Sequence, residues 1–133
     1  MREESKKRAA GSRVQWRGAP DVHDYPAALS YLALNFPSKT AKSLVKKLKR
    51  VRMSEFKAKD LFRASGLSLL GVSNSHVEKD RQKIAGGTRL SPLLLVVDRT
   101  RGKMVIADGY HRLCAVYTYD EDAVIPCKIV YAE

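Results

Sequence analysis

Apolar residues recur at helical spacing through the first two thirds of the chain. This pattern predicts helices over 24–36, 38–51, 59–64 and 76–85, with Gly66 closing the third. The residues placed to cap three of these helices are Asp24, Ser38 and Ser75, the last in a capping box with Glu78. The first part of the chain is therefore expected to be helical.

From residue 93 onward the pattern changes to aliphatic and β-branched residues. It predicts a buried strand over 93–98, a turn at 100–103 and a partner strand over 104–107. A helix over 111–119 and a last strand over 124–131 follow, and Pro126 suggests that this strand is an edge strand or carries a bulge. The order predicts an α/β (α+β) fold with N-terminal helices packed on a small mixed sheet.

A chain of 133 residues, with 44% hydrophobic and 29% charged residues, has the size and composition of one globular domain. Residues 1–18 are polar and basic and lack periodicity, so we expect a flexible arm, from which Val14 and Trp16 could pack on the body. The domain is expected over 19–133.

The charge of the chain is positive and unevenly distributed. Twenty-five Lys and Arg residues stand against fourteen Asp and Glu residues, a net charge of +11. Residues 38–63 hold ten basic and two acidic side chains, whereas residues 64–133 hold nine and eight. A local surplus of this kind favours a polyanionic partner. Because the basic residues are concentrated outside the C-terminal half, polyanion binding and the function of the C-terminal half are separate questions.

Membrane insertion and secretion are not expected from the sequence. The longest aliphatic run covers 93–97, far short of the roughly 18–20 residues that span a bilayer. The first residues are charged and lack the apolar segment of a secretory signal. Because Cys114 and Cys127 both lie in apolar surroundings, the expected location is a reducing cytoplasm.

The predicted helix at 38–51 carries the clearest surface pattern. Five of its six cations fall together on a face other than the apolar stripe, and these five are Lys39, Lys42, Lys46, Lys49 and Arg50. One interpretation is a contact with the phosphate backbone of DNA or RNA, and the other is a solvated helix face. Few aromatic residues are near, so base stacking is not indicated.

A second candidate site lies where the strand at 104–107 meets the helix at 111–119. Asp108, Gly109, Tyr110, His111 and Arg112 form a strand–glycine–helix junction, where unpaired helix N–H groups attract anions. Arg112 can bind two phosphate oxygens. The alternative is an ordinary turn in which Arg112 pairs with Asp108 or with Asp98.

The C-terminal half resembles a known family. The runs SPLLLVVD, VIADGYHRLCAVY and IPCKIV, in that order, resemble the ParB/sulfiredoxin fold of ParB N-terminal domains and sulfiredoxin. The resemblance covers about residues 70–131. It implies the topology of that fold, with nucleotide phosphates bound at the glycine turn. His76, Lys79 and Lys83 fall near the nucleotide contacts of sulfiredoxin, with a solvated face as the alternative.

The chain departs from both members of this family. Sulfiredoxin has a nucleophilic cysteine where this chain has Tyr110, and a tyrosine cannot replace a reactive thiolate, so sulfiredoxin activity is not expected. Cys114, one turn further on, is expected in the core. The downstream arginine-rich box of ParB is replaced by acidic residues at 120–122, so a ParB sliding clamp is not expected.

Three functions remain open. The leading one is a module that binds a nucleotide or nucleic-acid phosphate through Gly109, Tyr110, His111 and Arg112, together with the basic helix. The second is a ParB-like nuclease or nucleoside triphosphatase in which Asp108 and His111 act as acid and base or hold magnesium, with a nucleoside triphosphate bound. The third is a protein-interaction module without enzymatic activity. The residues specify neither the base, nor DNA against RNA, nor a dedicated metal site, nor the oligomeric state.

Overall fold

The computed structural model of the protein describes residues 13–71 and 73–132. Its helices are α1 (Asp24–Asn35), α2 (Ser38–Arg50), α3 (Ala58–Ser65), α4 (Ser75–Ala85) and α5 (Tyr110–Tyr119). Its strands are β1 (Ser54–Lys57), β2 (Leu93–Asp98), β3 (Lys103–Asp108) and β4 (Val124–Ala132). The predicted α/β class is confirmed. Among these residues no helix has the length and apolar character needed to cross a bilayer.

The four strands form one mixed sheet with helices on both faces. The strand order is β1-β4-β2-β3, with β2 parallel to β4 and the other neighbours antiparallel. Leu94 and Val96 face a core shared with α1 and α2, whereas Leu93 and Leu95 face a second core shared with α3, α4 and α5. Because β2 is covered on both faces, its sequence is continuously aliphatic.

Strand β1 was not predicted, and it changes the place of β4. The sequence Ser-Glu-Phe-Lys is short, polar and largely exposed, so it lacks the pattern of a buried strand. The structure pairs it with β4, so the prediction that β4 is an edge strand is wrong. Pro126 lies opposite Glu55, and the ladder from β4 to β2 begins only at Cys127. The missing N–H of the proline therefore interrupts no ladder.

The N-terminal segment differs from the predicted arm in its described part. Val14 is buried, and Trp16 forms a parallel bridge with Leu90. The Arg17 N–H donates to the Leu90 carbonyl, and the Leu90 N–H donates to the Gln15 carbonyl, each at 2.8 Å. Residues 13–17 thus pack on the domain, while residues 1–12 of the predicted arm lie outside the described residues.

The three predicted helix caps are wrong. Asp24 lies inside the first turn of α1, and Ser38 is the first residue of α2, which has no side-chain cap. In α4 the cap is Asn74, whose Oδ1 accepts hydrogen bonds from the N–H groups of His76 and Val77 at 2.9 and 3.2 Å. Any short polar side chain near a helix start can cap it, and the backbone path decides which one does.

Candidate functional site

The predicted anion-binding turn lies where β3 ends and α5 begins. Gly109 separates these two elements with a backbone φ of 112°, a conformation that residues with a side chain rarely adopt. A Cβ atom at this position would lie 2.7 Å from Leu93 Cγ. The turn therefore packs tightly on the start of β2, and glycine is required there.

Arg112 points from α5 into a pair of carboxylates. Its Nη2 donates to Asp108 Oδ2 at 2.8 Å and lies 3.8 Å from Asp24 Oδ2. The Arg112 side chain is only 18% exposed, so this cluster is largely shielded from water. The ion pair with Asp108 that the sequence left open is present. Asp98 lies at the other end of β2 and pairs with Arg101.

Burial and charge act in opposite directions on Asp108. Removal from water raises the pKa of its carboxyl above the ordinary value, and the neighbouring guanidinium of Arg112 partly offsets this rise. The Nε of Arg112 is buried and has no hydrogen-bond partner among the described residues. Arg112 thus joins α5 to α1 through Asp24, and a phosphate at this guanidinium would compete with Asp108.

The two residues before Arg112 face different neighbours. The His111 ring centroid is 4.8 Å from that of His76 and 5.7 Å from that of Tyr110. The Tyr110 hydroxyl donates to the carbonyl oxygen of Ser68. Burial lowers the pKa of His111, and the adjacent His76 lowers it further. The folded state therefore favours the neutral form of His111.

Two helix N-termini meet at this histidine pair. His76 is the second residue of α4, and His111 is the second residue of α5. The first N–H groups of a helix lack partners within the helix and carry a partial positive charge. Asn74 accepts from two such groups in α4, whereas no side chain caps α5. The N–H groups at the start of α5 can therefore donate hydrogen bonds to an anion.

The three α4 residues predicted at the nucleotide site have different surroundings. His76 contacts His111 of the turn, and Lys79 is exposed. Lys83 Nζ lies 3.9 Å from Asp80 Oδ1. Burial raises the pKa of Asp80, and Lys83 partly offsets this. Only His76 of these three is in contact with the glycine turn, while Lys83 points toward a neighbouring cleft.

This cleft has a volume of about 280 Å³ and lies beside Arg112. It brings together residues that are distant in the sequence and carry both signs of charge. Its cations are Arg17, Lys83, Arg89 and Arg112, and its acids are Asp21, Asp24 and Asp80. The sequence patterns did not indicate five of these residues as members of the site: Arg17, Asp21, Asp24, Asp80 and Arg89. No local signal marks them, since they belong to no motif and meet only through the fold.

Asp108 and His111, the two residues predicted as catalytic, do not contact each other in a common site but have different partners. Asp108 is bonded to Arg112, whereas the ring of His111 lies against His76. Within the part of the chain that the structure describes, no group of three or more His, Cys, Asp or Glu side chains is arranged to hold a metal ion. The geometry offers no observation that favours hydrolysis over binding.

The cations of α2 lie opposite its buried face. The buried residues are Ala41, Leu44, Val45 and Leu48. The five cations predicted to contact phosphate are all exposed, and they are Lys39, Lys42, Lys46, Lys49 and Arg50. None of these five pairs with an acidic residue among 13–71 or 73–132. The helix thus presents a positive face that no acidic side chain of the described residues neutralises.

The basic helix and the glycine turn lie at the same end of the sheet. Leu94 pairs with Lys128 on one side and with Asp108 on the other. Lys128 Nζ donates to the carbonyl oxygen of Lys49, near the end of α2, at 3.1 Å. Both ammonium groups approach the ring of Tyr25, at 5.7 and 5.8 Å from its centroid. The two candidate sites are therefore neighbours, although α2 and α5 pack on opposite faces of the sheet.

Comparison with known proteins identifies no relative of this chain. No family model, no curated protein and no solved structure matches this chain. Membership of the ParB/sulfiredoxin family stays a prediction from the sequence motifs.

Proposed function

We propose that the protein binds the phosphate backbone of a nucleic acid along the exposed face of α2, without reading the base sequence. The observation that carries this proposal is the row of five exposed cations without an acidic partner among the described residues. Such a row neutralises phosphates and releases their counterions. Contacts with phosphate position a protein on the strand but carry no sequence information.

The dimensions of α2 suit an extended polyanion. The helix has 13 residues and is therefore about 20 Å long, at roughly 1.5 Å per residue. One strand of a duplex presents about six phosphates over that length, at roughly 3.4 Å of axis per phosphate. The α2 sequence contains no aromatic residue, so its exposed face has no platform for base stacking. These features favour a duplex backbone over unpaired bases.

Further basic side chains lie beyond both ends of α2. Arg101, in the turn between β2 and β3, donates from Nη2 to the Asn35 carbonyl oxygen at 2.6 Å and lies 5.5 Å from the Phe36 ring centroid. These two residues immediately precede the corner at which α2 begins. At the other end, Lys128 bonds to Lys49. Lys128 thus extends the row of α2 cations at the C-terminal end of the helix, whereas the charge of Arg101 is paired with Asp98.

The proposal is tested by the salt dependence of binding. Fluorescently labelled duplex DNA and duplex RNA are titrated with the protein and with the Lys42→Gln/Lys46→Gln variant at several salt concentrations. Loss of two phosphate contacts is expected to lower the slope of log K against log salt by about two. The matched control, Arg63→Gln/Arg81→Gln, removes two exposed cations from α3 and α4 and should leave that slope nearly unchanged.

Two results would overturn the proposal. An equal loss of slope in both double variants would show that net charge, and not the face of α2, attracts the polyanion. Absence of binding to both DNA and RNA at low salt would remove nucleic acid as the partner. The third function, docking of an acidic protein on the same face, would then become the better explanation.

A second function, binding of nucleotide phosphates at the start of α5, is favoured by the meeting of α4 and α5 at His76 and His111. The test is a thermal-shift titration with ATP, CTP, GTP and UTP, each with and without magnesium. A ligand at a hundred times its Kd stabilises by about 2.7 kcal/mol. The shift should be smaller in His111→Ala, whereas Arg112→Ala is unsuitable because it leaves Asp108 and Asp24 without their counterion. Absence of any shift would leave the turn as scaffold.

A further inference from the structure

We propose that two copies of the chain associate through β1, whose outer edge pairs antiparallel with β1 of the second copy. β1 is the first strand in the order β1-β4-β2-β3, and among the described residues only β4 pairs with it. The outer edge of such a strand presents N–H and C=O groups that can pair with another chain. Glu55, Phe56 and Lys57 are all exposed at this edge.

The hydrogen bonds to β4 determine which backbone groups of β1 point outward. The Ala58 N–H donates to the Ala123 carbonyl at 2.9 Å, and the register places Phe56 opposite Ile125. Hydrogen-bonded pairs alternate with non-hydrogen-bonded pairs in an antiparallel ladder, so Phe56 bonds inward to β4. The N–H and C=O groups of Glu55 and Lys57 therefore point away from the sheet.

The charges of these two residues select one register. A two-fold axis can place Glu55 opposite Glu55, Lys57 opposite Lys57, or Glu55 opposite Lys57 of the second copy. The first two bring like charges together, which destabilises a strand pair, whereas the third pairs opposite charges twice. In this third register the outward groups of Glu55 and Lys57 form four backbone hydrogen bonds between the two copies.

The same register brings the exposed aromatic ring to the two-fold axis. Phe56 is 41% exposed and would face Phe56 of the second copy in a non-hydrogen-bonded pair, where the Cα atoms are about 4.5 Å apart and side chains are closest. Cross-strand aromatic pairs stabilise sheets. Hydrogen bonds, charge and apolar contact thus agree on one arrangement, an eight-stranded sheet shared by two copies.

Charge reversal tests this register independently of nucleic-acid binding. The association constant of the full chain is measured by sedimentation equilibrium over a wide range of concentrations. Glu55→Lys and Lys57→Glu each place like charges opposite each other and should weaken the dimer at least tenfold. The double variant Glu55→Lys/Lys57→Glu restores opposite charges, as does an equimolar mixture of the two single variants. Both should regain wild-type association to within about threefold.

Cross-linking tests the position of the two-fold axis. Phe56→Cys should form an intermolecular disulfide under mild oxidation, because the expected Cα separation lies within the usual range for disulfides, about 4.4–6.8 Å. Glu55→Cys is the control, since residue 55 faces residue 57 and its own copy lies too far away. The two native cysteines are buried and do not compete. A monomer at every concentration, charge variants that associate like the wild type, or equal cross-linking at both positions would overturn the proposal.

Discussion

Leu93 and Arg112 hold the glycine turn from two sides. The Leu93 side chain fills the space that a Cβ at position 109 would need, and Arg112 neutralises Asp108 at the end of β3. The same guanidinium reaches Asp24 at the start of α1. The geometry of the turn is therefore determined by single side chains from β2, α1 and α5.

Gly109→Ala is expected to destabilise the protein by about 3 kcal/mol, because it adds a strained backbone conformation and a contact with Leu93. Gly102→Ala is the matched control: its φ of 66° is also positive, but a Cβ there meets nothing within 4 Å. That variant should lose only about 1 kcal/mol. Urea unfolding measures both variants, and equal losses would contradict the close approach of Leu93.

His111 should make stability depend on pH below about 6.5, its ordinary pKa. The folded-state pKa is lower than this value, so on acidification the unfolded state takes up the proton first, and the free energy of unfolding falls with the pH. His111→Gln should flatten the profile in this window. Urea midpoints between pH 5 and 8 provide the measurement. A profile of His111→Gln that superimposes on the wild type would contradict the assigned role.

The presence of most helices and strands follows from local patterns, whereas the residues at which they begin and end depend on neighbouring elements. The strand at 93–98 is present as predicted, because its aliphatic run is long and covered on both faces. Helix α4 begins one residue earlier than expected, since Asn74 and not Ser75 accepts the first N–H bonds. Strand β1 exists only because β4 lies beside it. The residue that caps a helix therefore gives the clearest test of how the ends of elements are determined.

Asn74→Ala is expected to lower the free energy of unfolding by about 1 kcal/mol, the usual loss on removing an N-cap side chain. Ser75→Ala is the matched control, because Ser75 is exposed and is the first residue of the helix. It should change stability by less than about 0.5 kcal/mol. Thermal and urea unfolding separate the two variants. A larger loss in Ser75→Ala would restore the capping box predicted from sequence.

At the scale of the whole molecule, the sheet divides the protein into two cores and also connects its two candidate sites. The core with α1 and α2 supports the basic face, and the core with α3, α4 and α5 supports the histidine pair. Both sites lie where β3 ends, because Lys128, Leu94 and Asp108 are neighbours across the sheet. A polyanion on α2 could therefore extend toward the glycine turn.

The two thiols report on the integrity of the second core. Cys114 and Cys127 are 1% and 0% exposed, and burial raises the pKa of both, that of Cys127 to about 12. Reaction with a thiol reagent at pH 8 should therefore require opening of the core and follow the population of unfolded protein. A Ser43→Cys variant, on the exposed face of α2, should react at once. Rapid labelling of native Cys114 or Cys127 in the wild type would contradict this packing.

Local patterns of residues specify the parts of the fold and of the site that depend on neighbours along the chain. Periodicity predicted the five helices and three of the four strands found among residues 13–71 and 73–132, since an amphipathic or aliphatic pattern must bury its apolar side. The glycine turn and the exposed cations of α2 were also predicted, because a break between two elements and a charged helix face are both local patterns.

Which helices and strands come into contact depends on the packing of the folded chain. A pattern shows that a face is buried, but not which element covers it, because the covering residues can lie dozens of positions away. The pairing of β1 with β4, the approach of Asp24 to Arg112 and the meeting of His76 with His111 all depend on such distant partners. The partners of Arg112 and the proximity of the basic helix to the turn follow from packing on both faces of one sheet.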